Sequence, residues 1–292
     1  MRLAFLGTPA VAVPSLRALV DAGHHVEVVV SRPDRRRGRG GALTPSPVKQ
    51  AAVDLDIAIT DEVDDLRSRG LDLGVVVAYG RILKPDLLAE LPMVNLHFSL
   101  LPRWRGAAPV ERAILAGDTV TGVCLMAVEE GLDTGGVHAV EQVEIEPEET
   151  ADELRSRLGV IGARLLVDEL ARGLGDPEPQ TGTPTHAPKL DPAELLLDFS
   201  QSEEELHRVV RVGRAWTTFG GRRLLVVRAA PDADAERRPD LGGEPGTVGP
   251  DLSVATGAGR LRLLEVQPEG KGPMSAVAWA NGAHPVGHVL GR

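Results

Sequence analysis

The sequence predicts an α/β protein, with a mostly parallel sheet followed by a smaller all-β domain. Three observations carry that expectation. The opening residues read strand, helix, strand, the βαβ start of a parallel sheet. A chain of 292 residues is long enough for two domains. After a helical stretch ending at Gly213, the texture changes to short strands between Gly/Pro turns, the pattern of a small barrel.

The elements follow in order. Leu3–Leu6 is an apolar strand ended by Gly7-Thr8-Pro9. Ser15 to Ala22 is helical, with Pro14 suited to a first turn and Gly23 to a stop. His25 to Val30 is the second strand. The first turn lacks Gly-x-Gly-x-x-Gly, which argues against a dinucleotide, and no Gly-Lys-Ser/Thr loop supports an ATPase. Pro33 to Pro47 is expected to be a loop without regular structure, because of its glycines and the prolines at both ends. Arg35, Arg36, Arg37 and Arg39 fall in it. Guanidinium groups suit phosphates, and a solvated surface loop is the alternative. Val48 to Val53 is helical, Leu71 to Tyr79 a buried strand, and Pro85 to Leu91 a short helix.

Val94 to Phe98 alternates with period two, so Val94, Leu96 and Phe98 share one face and Asn95, His97 and Ser99 the other. The Pro-rich loop Leu100 to Pro109 follows. Helix 110–116, strand 121–128, the turn Glu129 to Gly136, an extended stretch to Ile145 and a long amphipathic helix from Ala151 come next. Asp176 to Pro188 is rich in Pro, Thr and Gly and reads as a linker. Glu203 to Gly213 is expected to be the last helix. Strands are expected at 223–228, 246–248, 252–256 and 260–266, with a polar insertion from Ala230 to Gly243.

Composition bounds the class. Hydrophobic residues make up 42% and charged residues 25%, which permits a sizeable core. No run approaches the roughly 18 apolar residues of a membrane span. The short apolar start runs straight into a turn, unlike a signal peptide. The one cysteine, Cys124, lies in an apolar run and suits a core position. A cytoplasmic protein is the expectation. The net charge of −10 argues against general nucleic-acid coating. Its distribution is uneven: residues 205–292 carry 12 basic and 9 acidic side chains, residues 1–204 carry 20 and 33. Within the acidic part, Arg32 to Lys49 has five Arg and one Lys against one Asp. A local cationic stretch on an acidic protein suggests a docked polyanion.

The polar face of the 94–98 strand is the candidate catalytic feature. Open α/β sheets place ligands at strand ends. An ordinary strand with a hydrogen-bonded core histidine is the alternative. Asp133, in a turn with three glycines, either supports that turn or pairs with His97. Asn, His and Asp without an activated nucleophile suggest direct transfer; Ser99 lacks the Gly-x-Ser-x-Gly setting. An Asn amide and an imidazolium could hold the oxyanion formed when an amine attacks a carbonyl, each donor worth roughly 3–4 kcal/mol when preorganised. One His and one Asp are too few for a metal site.

These residues lead to a resemblance. Phe5-Leu6-Gly7-Thr8-Pro9, Gly38-Arg39-Gly40 with Pro45-Ser46-Pro47-Val48-Lys49, Val75 to Gly80, Asn95 to Pro109, and Gly131-Leu132-Asp133-Thr134-Gly135 together resemble the methionyl-tRNA formyltransferase family. The likeness covers nearly the whole chain. It implies a doubly wound, mostly parallel sheet, a Rossmann variant of formyltransferase type, over residues 1–182. A linker over 183–203 and a smaller OB-like β-barrel domain over 204–292 follow. It implies catalysis by Asn95, His97 and Asp133, and a site for 10-formyltetrahydrofolate, the formyl donor, lined by Ser99, Leu100, Leu101 and Pro102. It implies methionyl initiator tRNA as partner, met by Arg35, Arg36, Arg37 and Arg39, and a monomer with no metal and no membrane. The chain departs from the family pattern at Gly41-Ala42, in a short 57–73 stretch, and at Gly213 to Trp216. Formyl transfer to a small amine, a nucleotide sugar or glycinamide ribonucleotide, is one alternative; a non-catalytic tRNA-binding protein is another.

Overall fold

A computed structural model describes residues 1–37, 41–67, 69–232 and 243–292. They form two compact units. One comprises residues 1–110, 120–144 and 154–189, the other 111–119, 145–153 and 190–292.

The first unit begins β1 (Arg2–Gly7), α1 (Val13–Asp21), β2 (His25–Val30). There follow β3 (Arg35–Arg37), β4 (Ala42–Thr44), α2 (Pro47–Asp54) and β5 (Ala58–Thr60). The chain then runs through β6 (Leu73–Val77), α3 (Pro85–Glu90), β7 (Met93–His97) and β8 (Arg105–Gly106). After α4 (Pro109–Ala116), whose residues from Glu111 on belong to the second unit, come β9 (Val120–Ala127), β10 (Val137–Glu144), α5 (Ala151–Arg172) and β11 (His186–Ala187). Seven of these strands make one sheet in the order β10-β9-β7-β6-β1-β2-β5. From β5 to β7 every pairing is parallel; β9 runs antiparallel to β7, and β10 antiparallel to β9. All five residues of β6 are buried, as are Leu3 to Gly7 of β1. A strand covered on both faces reads as an unbroken apolar run, which is why these two were legible. The chain winds outward through β1, β2 and β5, then returns to β6 on the other side of β1. That reversal is the doubly wound topology, and it opens a crevice at the strands' carboxyl ends.

The stretch 33–47 corrects one expectation. It holds a hairpin, with Arg35 opposite Thr44, Arg36 opposite Leu43 and Arg37 opposite Ala42. Glycine and proline do not forbid this, because both fall outside the paired residues. Gly41, at φ +66°, supplies left-handed backbone just before β4. The base of the hairpin is closed. Lys49 Nζ lies 2.7 Å from Asp34 Oδ1. The Ser31 and Ser46 hydroxyls are 2.6 Å apart, and Ser46 Oγ also accepts from the Lys49 amide to cap α2. Arg39 lies outside the described residues.

The Pro/Thr/Gly-rich stretch 176–188 is bound to the first unit along much of its length. Glu178 and Val137 exchange two backbone hydrogen bonds, at 2.8 and 2.9 Å. β11 pairs in parallel with β8. Residues 183–203 are divided: 183–189 belong to the first unit and 190–203 to the second, where Leu197 and Phe199 join the core.

The second unit holds α6 (Glu203–Val212), β12 (Trp216–Phe219), β13 (Arg222–Pro231), β14 (Ser253–Ala255), β15 (Arg260–Pro268), β16 (Met274–Ser275) and α7 (Ala276–Ala283). Its sheet runs β12-β13-β15-β14 with β16 on β15, all antiparallel, as a half-barrel. Ser202 and Glu205 form a reciprocal capping box on α6. That helix is not the last. α7 follows, capped by Ser275 Oγ, which accepts from the Ala278 amide. Its core face, Ala276, Trp279, Ala280 and Ala283, has helical spacing, but Val277 and Ala278 are apolar too, so no contrast between faces announces it. Trp279 is buried and meets Phe219 edge-on, ring centroids 5.3 Å apart. Of the polar insertion, Ala230 and Pro231 belong to β13, and residues 233–242 lie outside the described residues. Among the described residues no helix is long and apolar enough to cross a membrane.

Candidate active site

β7 carries the site because its two faces differ. Val94 and Leu96 are buried, while Asn95 on the opposite face is half-buried. His97 ends the strand, on the same face as Asn95 and at the carboxyl end of the sheet. Its ring is nearly enclosed, at 5% exposure. Nε2 lies 2.9 Å from the carbonyl oxygen of Trp104. Nδ1 faces Asp133 Oδ2 at 3.6 Å. Both ring nitrogens therefore face oxygens that can only accept. The first is at hydrogen-bonding distance and the second within ion-pair range.

Asp133 reaches His97 through the turn between β9 and β10. Its backbone is left-handed, at φ +52°, a region that Asp tolerates better than most residues. Its carboxylate is also held from the other side, with Oδ2 accepting from the Gly106 amide at 2.7 Å. The glycines make this approach possible. A Cβ on Gly135 would lie 2.0 Å from the Ala127 carbonyl oxygen, and one on Gly106 would lie 2.8 Å from that of Ala187. Asn95 forms no side-chain hydrogen bond among the described residues. The structure thus brings Asn95, His97 and Asp133 to one end of β7.

The four residues Ser99 to Pro102, just beyond the strand, differ among themselves. Ser99 is fully buried, and its hydroxyl donates to the Arg103 carbonyl at 2.6 Å, closing the turn. Its polarity serves the loop. Leu100, Leu101 and Pro102 are half-buried, with a cis peptide between Leu101 and Pro102. The Leu101 amide donates to Cys124 Sγ at 3.4 Å. Burial pushes the Cys124 thiol up to about 11, only partly offset by that amide, so no thiolate nucleophile stands here. Arg35, Arg36 and Arg37 form β3, away from regular pairing with the main sheet. Among the described residues no cluster of His, Cys, Asp or Glu could hold a metal.

Sequence reasoning missed three residues that frame the pair. Gln180 Nε2 donates to the carbonyls of Asp133 and Gly135, each at 2.8 Å. Gln180 Oε1 accepts from Arg105 Nε at 3.0 Å and Nη2 at 2.6 Å. Thr185 Oγ1 accepts from the Trp104 amide at 2.8 Å. Gln180 and Thr185 sit in linker-like composition, and no local spacing ties them to partners so distant.

Comparison with known proteins agrees with this architecture. Residues 1–170 match the formyl transferase family model, and residues 189–284 match that of the formyl transferase C-terminal domain. Methionyl-tRNA formyltransferase of Symbiobacterium thermophilum is 43% identical over 306 aligned residues, spanning 97% of this chain and 92% of that one. The enzyme of Roseobacter denitrificans is also 43% identical, over 97% and 96%. Among solved structures, the sugar 3N-formyl transferase WlaRD superposes with a TM-score of 0.70 at 16% identity, over 93% of this chain and 98% of that one. Methionyl-tRNA formyltransferase from Clostridium thermocellum gives 0.60 at 17%, over 80% and 94%. Those two likenesses concern the fold alone. With both models matched in order and relatives at 43% identity over nearly its full length, the chain belongs to the methionyl-tRNA formyltransferase family.

Proposed function

We propose that the protein transfers the formyl group of 10-formyltetrahydrofolate to the α-amine of methionine on initiator tRNA. The observation that carries the reading is the His97–Asp133 pair, 3.6 Å apart, at the end of the strand that also bears Asn95. The amine nitrogen attacks the formyl carbon, a carbon–nitrogen bond forms, and the bond to the folate nitrogen breaks. Asn95 donates its amide to the oxygen that becomes negative between those two events. His97, protonated, adds charge at the same place. Asp133 holds the ring's orientation and assists the proton that leaves the amine and the proton that the folate nitrogen gains. The half-buried Leu100, Leu101 and Pro102 supply apolar surface for the donor's ring system.

The acceptor follows from the whole chain. Full-length likeness to methionyl-tRNA formyltransferases includes the second unit. The basic run from Arg32 to Lys49 adds a phosphate-binding chemistry that a small acceptor does not require. Arg35, Arg36, Arg37 and Arg39 are its tRNA contacts in this reading, and the enzyme works as a cytoplasmic monomer.

The test is mass spectrometry of methionyl-tRNA after incubation with labelled donor. Formyl-methionine should form with the parent protein. His97→Ala and Asp133→Ala should each lose orders of magnitude in rate while still retaining tRNA on a filter. Label on a nucleotide sugar or glycinamide ribonucleotide, and none on tRNA, would reject the acceptor. Near-parental turnover by either variant would reject the roles.

A further inference from the structure

We propose that Gln180 and Thr185 are positioning residues for formyl transfer, holding the Asp133 carboxylate and the His97 ring against each other from a remote strap of chain. The proposal rests on the catalytic reading of His97 and Asp133 and adds to it the residues that set their geometry.

Gln180 spends its whole side chain on this task. Both protons of its amide go to the Asp133 turn, to the carbonyls of Asp133 and Gly135 at 2.8 Å. A primary amide has two such protons, so its donor capacity is full. Its oxygen takes two charged donors from Arg105, at 3.0 and 2.6 Å. Arg105 precedes Gly106, whose amide holds the Asp133 carboxylate at 2.7 Å. Asp133 is therefore fixed at both ends, its carbonyl by Gln180 and its carboxylate by the residue next to Gln180's own anchor.

Thr185 does the same for the ring. Its hydroxyl accepts from the Trp104 amide at 2.8 Å. Its backbone donates to the Pro102 carbonyl at 3.2 Å and accepts from the Arg105 amide at 2.9 Å. Trp104 has φ +63°, a left-handed backbone that a bulky residue adopts only when held there. The carbonyl so aimed is the one that faces His97 Nε2 at 2.9 Å. The amide and the carbonyl lie in successive peptide units joined at the Trp104 Cα, so releasing the amide frees the left-handed φ between them and lets the carbonyl turn away from the ring. The strap thus grips the two partners separately, at positions five residues apart.

Gln180→Ala, Thr185→Val and Thr185→Ser in the full chain test this. A misplacement of about 1 Å is worth about 10²-fold in rate. Gln180→Ala and Thr185→Val should lose that in kcat, with KM for donor and tRNA little changed and the melting transition still cooperative. Thr185→Ser, which keeps the hydroxyl, should restore kcat. Each effect should vanish in the background of the partner it serves: Gln180→Ala should cost nothing further in Asp133→Ala, and Thr185→Val nothing further in His97→Ala. Equal losses in both backgrounds, unchanged kcat, or a serine variant as slow as valine would overturn the proposal. Asp133→Ala and His97→Ala proteins working at the parental rate would instead overturn the catalytic reading, and the strap with it. The Thr185 pair, which nearly preserves shape, keeps the test decisive where Gln180→Ala does not fold.

Discussion

Asp133→Asn removes one charge from the site at almost constant shape. Asp133 Oδ2 accepts from the Gly106 amide at 2.7 Å and faces His97 Nδ1 at 3.6 Å. The asparagine oxygen can keep the backbone bond, so the turn survives and the ion pair does not. The side chains are 6% and 14% exposed, which leaves little water to screen them. Unit charges near 4 Å attract by about 4 kcal/mol at an effective dielectric of 20. Each 1.4 kcal/mol is about a factor of ten, so a transition state that needs the His97 imidazolium slows by up to about 10³-fold. The assay is single-turnover transfer from saturating donor to methionyl-tRNA, with tRNA retention and a urea melt on the same preparation. The expected variant binds, folds and transfers slowly. A rate within about threefold of the parent, or less than about 0.7 kcal/mol of barrier, would refute the charge argument. The carboxylate would then be a support for the turn and nothing more.

Three other outcomes follow from the same coordinates. Gly135→Ala puts a methyl 2.0 Å from the Ala127 carbonyl oxygen, so the turn must move. It should lower stability by about 1–3 kcal/mol in a urea melt and reduce kcat along with it, and unaltered values of both would contradict the packing. Cys124 is fully buried with its thiol pushed up to about 11, so iodoacetamide at neutral pH should label it in urea and not in the folded protein. Burial pushes His207 below its ordinary 6.5, against the opposing pull of Glu148 at 3.3 Å. The unfolded chain therefore binds the proton first as pH falls. The stability from a neutral buried ring is complete above about pH 6.5 and is lost below it, down to the folded value. His207→Gln should flatten the fall of the urea midpoint between about pH 7.5 and 5.5; an unchanged slope would reject that linkage.

What could be read in advance, and what could not, divides by where each residue finds its partner. Asn95 and His97 were legible because alternation is a local property: neighbours two apart share a face whatever the rest of the chain does. Asp133 was legible as a residue in a glycine-rich turn that either supports the turn or pairs with His97, and the resemblance chose between the two. The hairpin 35–44 was misread because glycine and proline were weighed by number, when what matters is whether they fall inside or outside the paired positions. α7 was missed because its core face, Ala276, Trp279, Ala280 and Ala283, contrasts little with Val277 and Ala278 beside it, so the helical spacing does not stand out. Gln180 shows the limit most plainly. It stands 47 positions from the carbonyl of Asp133 that it binds. Proline, threonine and glycine around it signal a chain with few local hydrogen bonds. They carry no information about whether distant groups will supply them. In this stretch they do: Val137, Asp133, Gly135, Pro102 and Trp104 take what the segment cannot satisfy within itself. Linker composition is therefore a statement about missing local partners, and a segment that reads as free can still set the geometry of a reacting pair.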